Sequence, residues 1–305
     1  MAVAAEAERR RDLARQIIDT RRVFHTDRDM WKAMASDALR QLSPQLYYPV
    51  ALWNQLPWYE RRFLLTVAAG RNCHSAVLVG RSAARVNGMW VVALTGEKVE
   101  LASTSRWIAP SVRRNPEYEA RHFRLAEKDT YAGEGYRATR LTRTAIDIAR
   151  LHGFAEGLIA FDWLLRAGAE RRSVGRAIAS MGRVKGNALA RRCLRHATAL
   201  SESPFESLAR ALLIEAGFDP QPQHSVGAYR ADLAIDGWLL IEIDGDSKYE
   251  EDTAETIKRE NDRKKRIENQ GYKILRYRPA ELLANPTDFV SDVEAALHHQ
   301  RQLGA

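Results

Sequence analysis

The chain is poor in cysteine. Its two, Cys73 and Cys193, lie far apart without a CxxC partner, so neither a zinc knuckle nor a disulfide framework is indicated, and a reducing cytoplasm fits best. Long apolar runs are also missing. The opening MAVAAEAERRRDLARQ becomes highly charged before an apolar segment of secretory length accumulates, and nothing later approaches a membrane-spanning stretch. The expectation is a soluble cytoplasmic protein with no export signal and no membrane partner. Fixed-period repeats and low-complexity tracts are absent too. Apolar mass is not: 45% of the 305 residues are hydrophobic, enough for one large core or two to three smaller ones.

Charge is unevenly spread. The net charge is +8, but residues 1–200 hold 34 basic and 19 acidic groups while residues 201–305 hold 13 and 20. A basic body joined to an acidic module suits a polyanion held by the body and carboxylates concentrated in the module to hold metal. A solvated surface with an accidental imbalance is the plainer alternative.

Along the chain, 5–24 and 27–40 read as helices, and QLSPQLYYPV as a short strand after the break at Pro44. Two helices and a strand leave a small winged helix open. Residues 57–70 read as a helix, SAVLVGRSAARVNG as a strand with a helix starting at Ser82, and the following stretch as short strands around turns. Leu141 to about Leu200 is mostly helical, punctuated by Gly153, Gly168 and Gly186. Arg143 and Asp147, four apart, form an intrahelical ion pair that fixes the helix surface. Arg171, Arg172, Arg176, Arg183, Lys185, Arg191, Arg192 and Arg195 make a denser basic series, read as a phosphate-backbone surface or as an ordinary solvated face.

The last module opens at ALSESPFESLARALLIEAGF, where Ser203, Pro204 and Glu206 form a capping-box start and Gly217 ends the helix. Two β-type runs follow, ADLAI and WLLIEID, joined through Asp236–Gly237, a hairpin signal. Asp232 lies on the first, Glu242 and Asp244 on one face of the second. A two-residue turn would put Asp232 on the opposite face from Glu242. A three-residue loop over 236–238, with Gly237 in a bulge, pairs the two, and that form is expected. Acids among Leu239, Leu240, Ile241 and Ile243 are costly unless protonated, paired or metal-bound. Few bases stand nearby, so metal is favoured, and hard oxygen donors point to Mg²⁺ or Mn²⁺. Such an ion would activate water against a phosphodiester. The competing reading is ion pairing with bases of the next helix.

Lys248 is either an electrostatic aid near the scissile phosphate or a solvent-facing side chain. On a mixed-charge helix from about Thr253 to Asn269, Arg259, Arg263 and Arg266 share a side and are candidates for phosphates. YKILRYRP supplies a further strand, with Arg276 and Arg278 alternating with Leu275 and Tyr277, and a terminal helix follows. In QPQHS, ahead of the first acidic strand, Gln223 is a candidate neutral donor beside metal or water. His224, a loop histidine, usually has no catalytic duty. His298 and His299 stand near a frayed helix end, away from any catalytic role.

The order FESLARALLIEAGF, RADLAIDGWLLIEIDGDSK, NDRKKRIENQGYKILRY resembles the domain related to very-short-patch-repair endonucleases, within the restriction-endonuclease-like PD-(D/E)XK superfamily, over about residues 201–296. The resemblance implies a three-layer α/β core with a mixed central sheet and metal-assisted DNA cleavage. It implies first-strand and second-strand acids at Asp232, Glu242 and Asp244, and a first-helix acid at Glu206. Members commonly carry a histidine after ExDG where this chain has Lys248, which puts the proton-transfer route in doubt. More loosely, LYYPV, GRSAARVNG and TRTAIDIAR resemble a region of the AbiEi-family antitoxin with a winged-helix start. The expected division is 1–90, a winged helix; 91–200, mixed α/β passing to helical; and 201–305, the nuclease domain. The leading expectation is an Mg²⁺- or Mn²⁺-dependent DNA endonuclease or nickase. An antitoxin-like DNA-binding regulator and an RNA-processing nuclease are the alternatives, and oligomerisation stays open.

Overall fold

The computed structural model describes residues 2–303 except 74, 104–109, 228, 245–264, 266 and 268, and omits the side chains of 2–4, 111 and 300–303. The chain divides into two compact units, Met1–Ile148 and Ala149–Ala305. The division falls inside the 91–200 segment expected as a middle domain. Among the described residues no helix is long and apolar enough to cross a membrane.

In the first unit α1 (Ala2–Arg15), β1 (Ile18–Asp19) and α2 (Arg28–Ala35) precede the hairpin of β2 (Leu39–Ser43) and β3 (Leu46–Pro49), and the sheet order is β1-β3-β2. Both helices are shorter than the expected 5–24 and 27–40. Where one strand is expected there are two, because Pro44 and Gln45 make the turn and Gln45 takes φ 63°. Next come α3 (Val50–Trp53) and α4 (Trp58–Asn72). Phe63, Leu64 and Val67 of α4 share a core with Leu46 and Tyr48 of β3. Then β4 (Ala76–Leu78), α5 (Gly80–Asn87), β5 (Val99–Ser103), α6 (Pro110–Arg114), β6 (Tyr118–His122), β7 (Thr130–Ala132) and β8 (Arg137–Thr139) build a sheet of order β6-β5-β4-β8-β7. The Arg143–Asp147 pair forms at 2.9 Å in α7 (Leu141–His152), but both residues are buried and Arg143 also reaches Asp129 at 3.0 Å. It braces the interior rather than a surface.

The second unit begins with a helical run: α8 (Phe154–Arg166), α9 (Arg171–Ser180) and α10 (Asn187–His196). Gly153 caps the start of α8, and Gly168 and Gly186 separate the three helices, at φ 96°, 93° and 84°, conformations that cost glycine least. In α11 (Pro204–Glu215) the Ser203 hydroxyl accepts the Glu206 N–H at 3.1 Å, and Pro204 stands in the first turn. Next come β9 (Gln221–Val226), β10 (Tyr229–Ile235), β11 (Leu239–Ile243) and β12 (Lys273–Tyr277), in sheet order β12-β11-β10-β9. The β11–β12 pair is parallel and the others antiparallel. Short α12 (Pro279–Ala284) and long α13 (Pro286–Leu303) close the chain. The fold class is the expected one, mixed α/β with a mixed C-terminal sheet.

The helical run is built into this unit by a buried charge. Asp162 of α8 is fully buried and accepts from Arg210 at 2.7 and 2.8 Å, Ser207 at 2.8 Å, Ser201 at 3.2 Å and the Thr198 N–H at 2.8 Å. Arg210 also donates to the His196 carbonyl at 2.6 Å. One carboxylate thereby joins α8, the end of α10 and α11.

Candidate active site

The site begins with a turn. Asp236 and Gly237 both take positive φ, 51° and 74°, and the Trp238 N–H donates to the Ile235 carbonyl at 3.3 Å. Two left-handed residues in succession suit the twist of a hairpin, and Asp-Gly adopts them readily. Trp238 is the third loop residue, so the ladder runs Ile235↔Leu239, Ala234↔Leu240, Leu233↔Ile241. This is the expected three-residue register, although Gly237 occupies the second central turn position instead of a bulge.

The next step of that register would set Asp232 opposite Glu242, and there the backbone ladder stops. β10 continues its pairing with β9 as far as Tyr229↔Val226, and β11 with β12 as far as Ile243↔Tyr277. The Ile243 N–H is taken by a side chain, Asp232 Oδ2, at 2.8 Å. The sheet therefore parts between its two middle strands with one acid on each side of the parting.

Register also aligns a row across all four strands. Gln223 falls between the pairs His224↔Ala231 and Pro222↔Leu233, level with Asp232, and Glu242 pairs with Arg276. Gln223, at φ 55°, donates its amide to Glu206 Oε2 at 3.0 Å, and that oxygen also accepts the Glu202 N–H at 2.8 Å. Burial pushes the Glu206 carboxyl above its ordinary range, against the pull of those donors. Glu242 Oε2 lies 2.7 Å from Arg276 Nε, and their side chains are 11% and 29% exposed. Asp244, just past β11, donates its N–H to the Tyr277 carbonyl at 3.0 Å.

Glu206 and Gln223 are thus in direct contact, and Asp232 and Glu242 stand one on each strand, a register step beyond the last backbone pair. Among the described residues, however, no three His, Cys, Asp or Glu side chains gather closely enough to hold an ion. Like charges repel, and each carboxylate has a partner of the opposite kind close by: Asp232 accepts a backbone N–H, and Glu242 lies at ion-pair distance from Arg276. The donors are nonetheless chemically suited to a hard divalent cation, being carboxylates alone, and Glu242 already holds one positive charge. Lys248, Arg259, Arg263 and Arg266 lie outside the described residues. His224 is on β9, not in a loop.

Arg276 is the residue that sequence reasoning passes over. Parallel partners are separated by a crossover, so no local spacing ties Glu242 to Arg276, and only the alternation of YKILRYRP hints at which face the arginine takes.

Some of the basic series has structural work. Arg171 donates to the carbonyls of Leu194 and Ala197 at the end of α10, and Arg176 to the Ser173 hydroxyl at 2.8 Å. Arg192 lies 4.1 Å over the Phe154 ring and 4.0 Å from Glu215. Arg172 is exposed. Arg171, Arg191 and Arg195 rim an open cleft of about 630 Å³ floored by Gly175, Ile178 and Leu194. Neither cysteine is a nucleophile in waiting: both are free and buried, and burial pushes the Cys193 thiol up to about 12.

No curated protein and no solved structure matches the chain. One family model does, REase_MTES_1575, a restriction-endonuclease-like family, and its match runs over residues 205–297, from the first turn of α11 into α13. The segment that holds Glu206, Gln223, Asp232, Glu242, Asp244 and Arg276 is thus similar to a restriction-endonuclease-like domain, and its mixed sheet is consistent with that fold.

Proposed function

We propose that this chain is a metal-dependent DNA nuclease, an endonuclease or nickase, that hydrolyses phosphodiester bonds where β10 and β11 part. The observation that carries the reading is the placing of Asp232 and Glu242 on opposite sides of that parting, one register step beyond the last backbone pair. With Asp244 they are the ligands for Mg²⁺ or Mn²⁺, and such an ion, when bound, supplies charge that acidifies water and offsets charge building on phosphorus. The chain's own residues do the rest. Gln223 is held by Glu206 level with Asp232 and can orient water as a neutral donor. Lys248, with Arg259, Arg263 and Arg266, meets phosphates near the scissile bond. Arg171, Arg172, Arg176, Arg191, Arg192 and Arg195 hold the backbone further out. The helix–strand–helix–hairpin order of residues 2–49 supports a winged helix at the front, as in the AbiEi-like reading.

The test is incubation of duplex DNA, single-stranded DNA and RNA with Mg²⁺, Mn²⁺ or chelator. Metal-dependent cutting of DNA is expected, and E242Q should cut roughly 10²–10³-fold more slowly, the usual scale for losing one electrostatic stabiliser, while binding DNA as before. Cutting by E242Q at the wild-type rate would sink the assignment. A second reading, a DNA-binding regulator with an idle nuclease module, is favoured by the occupation of Glu242 by Arg276. It predicts binding without cutting by the wild type. Cutting of RNA alone would make the protein an RNA-processing enzyme.

A further inference from the structure

Arg276 takes no part in the reading of the acids as ligands, yet its guanidinium lies 2.7 Å from Glu242. Parallel register places both residues on one row, and the Asp244 N–H bond to the Tyr277 carbonyl at 3.0 Å keeps β12 fastened to the end of β11. The arginine is therefore held at the backbone, and only its side chain has freedom to leave. With side chains 11% and 29% exposed, the pair is screened less than a surface ion pair. Arginine also keeps its charge at every accessible pH. Any cation arriving at Glu242 meets a positive charge already in place.

We infer that Arg276 is an internal counter-ion of the acidic site: it occupies Glu242 until a divalent cation displaces it, and so sets the cation concentration at which the site fills. The inference rests on the reading of Asp232, Glu242 and Asp244 as a cation site. Three consequences follow from electrostatics alone. Removing the charge at 276 strengthens cation binding, because the competitor is gone and the repulsion between guanidinium and cation goes with it. Keeping the charge with lysine preserves the competition. Without a cation, the variant lacking the charge has fewer positive groups to offset its acids and melts lower, and added cation restores more stability to it than to the wild type.

The experiment is calorimetric titration of the full chain with MnCl₂, for wild type, R276Q, R276K, E242Q and D232N, with melting curves with and without Mn²⁺ to show that each variant is folded. R276Q should bind Mn²⁺ at least about tenfold more tightly than wild type and R276K within about threefold of it. Uptake by R276Q where the wild type takes up none would be the strongest form of the expected result. Equal or weaker binding by R276Q, while E242Q and D232N lose binding, would overturn the counter-ion role and leave the cation site standing. Mn²⁺ binding indifferent to E242Q and D232N, or no binding by wild type and R276Q alike, would overturn the cation-site reading and this inference together.

Discussion

Asp232 has an observed structural role beside its proposed role as a ligand, and substitution separates the two. Its carboxylate accepts the Ile243 N–H at 2.8 Å, a bond that an asparagine oxygen can also accept but an alanine cannot. D232N and D232A should both lose metal-dependent cutting. In melting experiments without metal D232N should stay near wild type, whereas D232A should be destabilised by about 1–3 kcal/mol, the cost of leaving a partly buried N–H unsatisfied. Relief of like-charge repulsion works the other way in both variants, so equal melting of D232A and wild type would show that repulsion had cancelled the lost bond. The three acids were legible in the sequence because each interrupts an apolar run beside an Asp-Gly turn. That signal has no unique meaning, however. Asp162 interrupts the apolar run FAEGLIAFDWLLR in the same way, and its partners are Arg210 and two serines.

At the scale of elements the Asp162–Arg210 pair is the joint between α8 and α11. Removing one partner of a buried pair leaves an uncompensated charge, so D162A should cost about 3–5 kcal/mol in chemical denaturation; a loss under about 1 kcal/mol would mean that the pair is dispensable. The end of α10 adds a pH dependence. His196 is exposed, but partial desolvation, then the charges of Arg192, Arg195 and Arg210, hold its imidazole below the ordinary range, against a weaker pull upward from Asp219. The unfolded chain therefore binds this proton more readily. The stability involved is present above the unfolded value of about 6.5 and is lost as pH falls through the folded one. Melting temperature should fall between pH 7.5 and 5, and H196Q should flatten part of that fall; an unchanged slope would remove His196 from the account. Elements with local signals were readable, such as α11 from its Ser-Pro-x-Glu start. The strand β9 was not, since a proline and polar residues in QPQHSV read as loop, and only pairing with β10 makes it a strand.

Across the whole molecule, the charge changes meaning once it is counted by compact unit. Residues 1–148 carry 24 basic and 16 acidic groups, whereas residues 149–305 carry 23 of each, because the arginine-rich helices α9 and α10 fall in the same unit as the acids. Sequence composition showed the contrast about residue 200 but could not show which segments share a core, since Asp162 and Arg210 meet across 48 residues. A chain cut at 200 would divide that pair. Fragments cut at 200 should therefore not melt as cooperatively as the intact chain. The fragment 1–148 should bind nucleic acid with log K falling steeply against log salt, by about 0.9 per phosphate neutralised on duplex DNA. Salt-insensitive or absent binding by a folded 1–148 would shift the grip to the second unit.

The three backbone pairs between β10 and β11 behave as a short zip closed at its lower end by the Asp236–Gly237 turn. Its first open tooth is the pair of acids. The gap between Asp232 and Glu242 is consequently gauged by a turn four residues from the first and five from the second. Strain applied at that clasp is delivered, through three rungs, as a change in spacing between the carboxylates.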